Sequence, residues 1–301
     1  MSALYASSPY AIREDLAASH ARAWSRIARP GTWWDGADRV AIAAETRHAS
    51  GCALCRRRKE ALSPSAVEGS HDSLGRLPEI VVEVVHRVLT DPGRLGERWY
   101  RSIVAGGLTE EQYVEAVSVV AHIVAIDTMA RGLGLDALPL PEPEPGSPSH
   151  YRPAGAQPGG AWVPWVEPAD AGAAEVGIYP SDRPPANIMK AMSLVPDEAR
   201  SFFDLVTHQY LPGAVMRDFS REHRAISHRR LSCWRRACRR STDVSIERPV
   251  MPCCSVRAAR PTIGLTSSRP SPGPGRAMAA FSTAASSWRL PKPSSARTTT
   301  R

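Results

Sequence analysis

Nowhere in these 301 residues do ~18 apolar side chains run consecutively, the length a membrane span requires, so no membrane partner is expected. The opening text, MSALYASSPYAIRED, has no basic region followed by an apolar run and does not read as a secretory leader. A cytoplasmic location is the expectation. No Gly-rich phosphate loop, Walker pattern or Ser-His-Asp arrangement stands out, and no cofactor is expected. No segment offers a convincing set of alternating strands, which sets sheet-based folds aside. Cysteine is sparse, six in all, and four of these (Cys233, Cys238, Cys253 and Cys254) lie in the last quarter.

What is present is a globular composition, 43% hydrophobic and 23% charged, in a chain long enough for one large domain or two ordinary ones. The net charge of +8 hints at a nucleic-acid partner until its distribution is read. Residues 229–301 hold 15 Lys and Arg against 2 acidic residues, whereas the preceding 228 hold 23 against 28. The body is mildly acidic and the basic excess sits in one segment, so no nucleic acid is expected as partner.

Residues 1–137 read as helical. Ile12, Leu16, Trp24 and Ile27 share one face of a helix that stops at Arg29-Pro30-Gly31. Trp33 and Trp34 lead into a second helix over Asp38–His48, and Cys52–Leu62 is basic and helix-compatible. Ile80–Leu89 is rich in valine, but Asp91-Pro92-Gly93 and helical text on both sides favour a short buried helix over a strand. Thr109 and Gln112 fit a capping box, after which Val114, Val117, Val120, Ile123 and Val124 recur at helical spacing until Gly132 and Gly134. Residues 138–184, rich in Pro and Gly, read as an extended linker that does not pack. Helical text resumes over 185–228 with ANIMKAMSLV and DEARSFFDLVTHQYL.

Residues 229–301 contain eight prolines, twelve serines and no usable period. One reading is a disordered basic tail. The other is a frame error, and the protein alone permits a check. If one base is missing just after the codon of His228, each true codon joins the last base of one displayed codon to the first two of the next. The displayed residues then fix the middle base of nearly every true codon, which largely sets polarity. One allowed reading from Arg229 is QIELLAARVSALNRCFY, then UGA, then TTGHAVLLRA, and from about Met278 the rule allows GGILDGRLLMALAEAVVGEDDD. Proline- and serine-rich text becomes apolar at helical spacing. The cysteine and the UGA of that string can each equally be read as Arg.

The recovered string resembles the active-site helix pair of the AhpD-like (alkylhydroperoxidase / carboxymuconolactone decarboxylase) superfamily. That family carries a Glu, a Cys-x-x-Cys twelve residues later and a His four residues beyond. UGA in place of the second cysteine resembles its selenocysteine members. Ala186-Asn187-Ile188-Met189, Leu194-Val195-Pro196, Phe202-Phe203 and Arg217-Asp218-Phe219-Ser220-Arg221 are similar to the family's lead-in helices. Asp38–Cys55 with the helices behind it resembles a second, diverged copy. The resemblance implies an all-α fold of two AhpD-like units in tandem, residues 1–137 and an incomplete 185–228, followed by a disordered basic tail. It also implies a hydroperoxide substrate, a thiol reductant, and a homo-oligomer. In such chemistry one thiolate or selenolate opens the peroxide O–O bond and a partner one turn away condenses with it. The family's Glu and His act there as a proton relay.

Within the displayed chain only Cys52 and Cys55 keep the Cys-x-x-Cys pattern, and they are the candidate catalytic residues. Here the copy departs from the family: Val40 stands where the Glu belongs and Lys59 where the His belongs, while Glu45 and His48 lie at other spacings. Arg56, Arg57, Arg58 and Lys59 favour a thiolate. Three readings stay open: a degenerate copy with two buried thiols, a redox-active pair, or half of a zinc site. No second Cys/His pair at ligand spacing accompanies it, so no metal is expected. His86, His122, His208 and His223 read as surface or satisfied core residues, and Glu110-Glu111 as first-turn complements to a helix dipole. A second class of function, a helical protein binding a polyanion through its basic tail, is disfavoured by the scarcity of aromatics there: Trp234, Phe281 and Trp288 only.

Overall fold

The computed structural model describes residues 4–179 and 184–210. Among these the protein is mostly α-helical. Eight α-helices are present: α1 Glu14–Ala28, α2 Gly36–Ala49, α3 Ala53–Glu60, α4 Glu79–Thr90, α5 Glu97–Ala105, α6 Glu110–Gly132, α7 Asn187–Met192 and α8 Pro196–Gln209. The tail, the suspected break at His228, and His223 all lie outside the described residues.

The helix boundaries follow from local chemistry. Asp35 caps α2 by accepting from the Asp38 N–H at 2.8 Å. Thr109 and Gln112 make the reciprocal capping box that opens α6. At its other end Gly134 takes φ +73°, and the Gly134 and Leu135 N–H groups return to the Arg131 and Ala130 carbonyls, a Schellman closure. The valine-rich segment is indeed a helix, α4. Its Val81, Val82, Val84 and Val85 are buried on one side, so packing overrides their strand propensity. Sequence reading named no helix over residues 97–105, where α5 lies.

The main core lies between α2, α4 and α6, with α1 alongside; Ile42, Val84, Val85, Val119 and Ile123 are essentially inaccessible. Each such side chain contributes about 1.5–3 kcal/mol of burial. By length and composition α6 is apolar enough to cross a membrane, but most of it is buried, as befits a core helix. α8 packs along α1 and also meets α6, so helices from before and after the proline-rich segment share one body.

That segment corrects the expectation of a linker that does not pack. It is extended, as its composition demands, yet it is tied down. The Glu144 N–H donates to the Ala28 carbonyl at 2.7 Å and the His150 N–H to the Thr32 carbonyl at 2.8 Å. Leu140 reaches the main core. Two short antiparallel strands, β1 Ala156–Gln157 and β2 Trp165–Val166, form a small ribbon whose Val166 is buried. Proline lowers the entropy of an extended chain, and a few apolar anchors then hold it.

A buried ion cluster joins α1, α2, α6 and α8. Arg39 contacts the Glu115 carboxylate and donates to Glu198 at 2.9 Å. Arg26 and Ser118 bond Glu198 at 2.8 and 2.7 Å, and the Thr32 and Trp33 N–H groups bond Glu115 at 3.1 and 2.7 Å. Gly31 passes so close that a Cβ there would meet the Glu115 carboxylate. Burial alone would raise Glu198, but Arg39 and Arg26 hold it well below the ordinary carboxylate range.

Candidate active site

Cys52 and Cys55 come together at the start of α3. Cys52 is its N-cap and Cys55 sits in the first turn; both are free thiols, 2% and 3% exposed. The helix start is held from a distance. The Ala53 N–H donates to Asp72 Oδ2 at 2.9 Å, supplying the cap that cysteine does not. Its far end is closed by Arg94, whose guanidinium bonds the Arg58, Lys59 and Ala61 carbonyls at 3.0, 2.7 and 2.7 Å.

Two histidines face the thiols. His71, in the loop before α4, places Nδ1 3.6 Å from Cys52 Sγ and 3.4 Å from Cys55 Sγ. His86, on α4, places Nδ1 3.4 Å from Cys55 Sγ. The rings lie 4.3 Å apart, centre to centre. Each turns its other nitrogen to a carboxylate: His71 Nε2 to Glu83 at 2.7 Å, His86 Nε2 to Glu45 at 2.8 Å. Glu83 and His86, three apart, share one face of α4. The carboxylates are fixed in turn. Glu83 accepts from Arg58 at 2.8 Å and Trp99 at 2.9 Å, and Glu45 accepts from the Leu74 N–H at 3.1 Å.

The electrostatics follow. Burial would raise the Cys52 thiol, but the Cys55 N–H, the His71 ring and the Asp72 N–H outweigh it and hold it below the ordinary value. Burial disfavours the His71 cation, yet its bonds to Cys55, Glu83 and Cys52 push it up to about 10. Glu83, despite burial, is drawn down to about 2 by His71, Arg58 and Trp99. His86 goes the other way: burial, helped by repulsion from His71, outweighs Glu45 and keeps it neutral. The site thus holds an acidified thiol, an imidazolium and a carboxylate in sequence, with a neutral imidazole beside the second thiol.

Measured against the sequence, the structure pairs Cys52 with Cys55 and brings in Glu45, but leaves His48 exposed. Of the four basic residues after Cys55 only Arg58 reaches the cluster; Arg56 bonds the Gly51 carbonyl, and Arg57 and Lys59 face outward. His86 was expected to be an ordinary surface or core histidine and is instead part of the site. His122 is a satisfied core residue, bonded to the Ser118 carbonyl and Ser201 Oγ at 2.7 and 2.9 Å. His208 bonds the Asp204 carbonyl. Glu110 and Glu111 sit in the first turn of α6 as expected. His71 and Glu83 went unnoticed. Their signal is polarity out of place: a histidine in Gly-Ser-His-Asp shortly after a Cys-x-x-Cys, and a Glu three before a His in an otherwise valine-rich helix.

No family model, no curated protein and no solved structure matches this chain.

Proposed function

We propose that this chain is a thiol-dependent hydroperoxide-reducing protein of AhpD-like kind, acting through Cys52 and Cys55. One observation carries the reading: two adjacent thiols, each within hydrogen-bonding reach of an imidazole that is itself backed by a carboxylate. The family's own Glu and His positions are taken by Val40 and Lys59, and Glu45–His86 and Glu83–His71 supply the equivalent chemistry from other elements. On this reading the helices before residue 138 form one AhpD-like unit, and those after 184 begin a second, incomplete one.

The Cys52 thiolate attacks the terminal peroxide oxygen. The O–O bond breaks, the departing alkoxide takes a proton from His71, and Cys52 becomes a sulfenic acid. Cys55 gives its proton to His86 and displaces the hydroxyl, which leaves as water once protonated. The product is a Cys52–Cys55 disulfide. An external dithiol then restores both thiols by exchange and is itself oxidised.

The test is dithiothreitol-driven reduction of cumene hydroperoxide by the full chain, beside Cys52→Ser, Cys55→Ser and a variant with Cys233, Cys238, Cys253 and Cys254 all changed to serine. Turnover should vanish in the first two and persist in the third. Equal turnover in all forms would refute the assignment.

A further inference from the structure

The geometry points to a closed, tetrahedral Zn²⁺ site made by Cys52 Sγ, Cys55 Sγ, His71 Nδ1 and His86 Nδ1. These four atoms all lie within 4.8 Å of one another. Zinc bound by two thiolates and two imidazoles holds sulfur at about 2.3 Å and nitrogen at about 2.0–2.1 Å, so a tetrahedral S···N edge is about 3.6 Å. The three thiol–imidazole distances are 3.6, 3.4 and 3.4 Å. Three of the six donor–donor edges therefore already have the length that a single ion of this size would impose, and the rest lie within 4.8 Å.

The surroundings point the same way. Histidine ligands to zinc characteristically give their outer N–H to a carboxylate, which fixes the tautomer that offers the other nitrogen to the metal. Both histidines do so here, to Glu83 and Glu45, and both present Nδ1 inward. Two thiolates balance the charge of the ion. Hydrogen bonds between thiols and imidazoles would explain any one of these contacts. They do not require four donor atoms to converge with both outer nitrogens locked.

Four protein donors leave no open position, so the ion is structural rather than a catalyst of hydrolysis. Two thiolates and two imidazoles in a tetrahedron select zinc over magnesium, calcium or manganese. Its role is local. The loop between α3 and α4 is largely exposed, and apart from Leu77 at its end, which joins the main core, it rests on a small cluster of Cys52, Leu54 and Cys55 with Val67 beside them. An ion held by α3, the loop and α4 would fasten what so small a cluster leaves weak. It would also mask the thiols, so that the metal-free form is the one that meets peroxide. The metal assignment stands on the donor geometry and holds whether or not the dithiol reduces peroxides.

The test begins with the full chain purified without chelator under reducing conditions, its metal measured by mass spectrometry. One zinc per chain is expected, retained when the four tail cysteines are serine and lost in Cys55→Ser and His86→Gln. Chelator-stripped protein given Co²⁺ should show the intense visible absorption of a tetrahedral cobalt–thiolate centre. Glu83→Gln keeps all four ligands, and should weaken zinc about 10- to 100-fold in competition with a chromogenic chelator. Its circular dichroism shows whether it has folded, so failure of the ligand variants to fold does not obscure the result. Zinc absent from the chain, with no cobalt spectrum on addition, overturns the site. So does zinc that disappears with the tail cysteines. Zinc bound as expected with no peroxide turnover after stripping would sink the peroxidase reading and leave the metal site standing.

Discussion

Two buried polar clusters share this fold, and they are built on opposite principles. Around Arg39, charges of opposite sign meet: one guanidinium between Glu115 and Glu198, a second from Arg26 at the edge, with backbone N–H groups on the remaining Glu115 oxygen and the Ser118 hydroxyl on that of Glu198. Each charged group faces one of opposite sign, though Arg39 Nε is left without a partner among the described residues. Around Cys52, four potential metal donors of like character face one another, and the carboxylates stand behind them rather than among them. The first arrangement can only hold helices together. It joins α1, α2 and α6 to α8 across 159 residues of sequence between Arg39 and Glu198. The second brings two sulfurs and two imidazole nitrogens within 4.8 Å of one another. Burying polar groups is costly in both places, and around Arg39 the opposite charges offset that cost.

The contrast can be broken experimentally, beginning with the largest effect on stability. Arg39→Met leaves two buried carboxylates without their shared cation and should cost roughly 3–5 kcal/mol, read as a lower urea midpoint, with dithiol reactivity unchanged. Acid should expose a neighbour of the ion cluster. His20, buried on α1 and 2.6 Å from the Tyr5 hydroxyl, is held neutral by burial and repulsion from His122, with a pKa near 4. Unfolded, it titrates near 6.5, so the unfolded chain binds the extra proton first. Stability should fall as pH drops from 6.5 to about 4, by up to about 3 kcal/mol from this residue, and His20→Gln should flatten that limb of a pH–stability curve. On the other side, Glu45→Gln removes the carboxylate behind His86 and should cost about 1–3 kcal/mol while slowing peroxide oxidation of the thiols. Such a variant with wild-type oxidation kinetics would show that His86 is not in the relay. Smallest of all is Arg22→Ala. Its bidentate pair with Asp204 also joins α1 to α8, at 2.9 and 2.8 Å, but at the surface, and should be worth less than about 1 kcal/mol in thermal melting.

Much of the helical framework was legible because the signals are local. The capping box at Thr109, the stop at Pro30-Gly31 and the Asp-Pro-Gly after α4 each act within one turn, and each places a boundary within a residue or two of where it lies. α5 escaped because its nine residues carry no cap side chain, only Gly96 before and Gly106 after. The proline-rich segment was read correctly as extended and wrongly as unattached. Its attachment depends on carbonyls of residues 28 and 32, more than a hundred positions away, which composition cannot report. The site divides in the same way. Cys52 and Cys55 announce themselves by spacing. His71, Glu83 and His86 come from a loop and a separate helix, 16 to 31 residues beyond Cys55, and only the folding of α4 against α2 and α3 brings them in. The sequence shows no second Cys/His pair at ligand spacing because the two histidines near the thiols come from separate elements.

The most direct test of the redox assignment is to strip the reduced full chain of metal, treat it with one equivalent of hydroperoxide and map the thiols by peptide mass. The account predicts that the peptide carrying Cys52 and Cys55 becomes two hydrogens lighter, with an internal disulfide, and regains them on addition of dithiothreitol. Both thiols remaining free, while the tail cysteines oxidise instead, would contradict it.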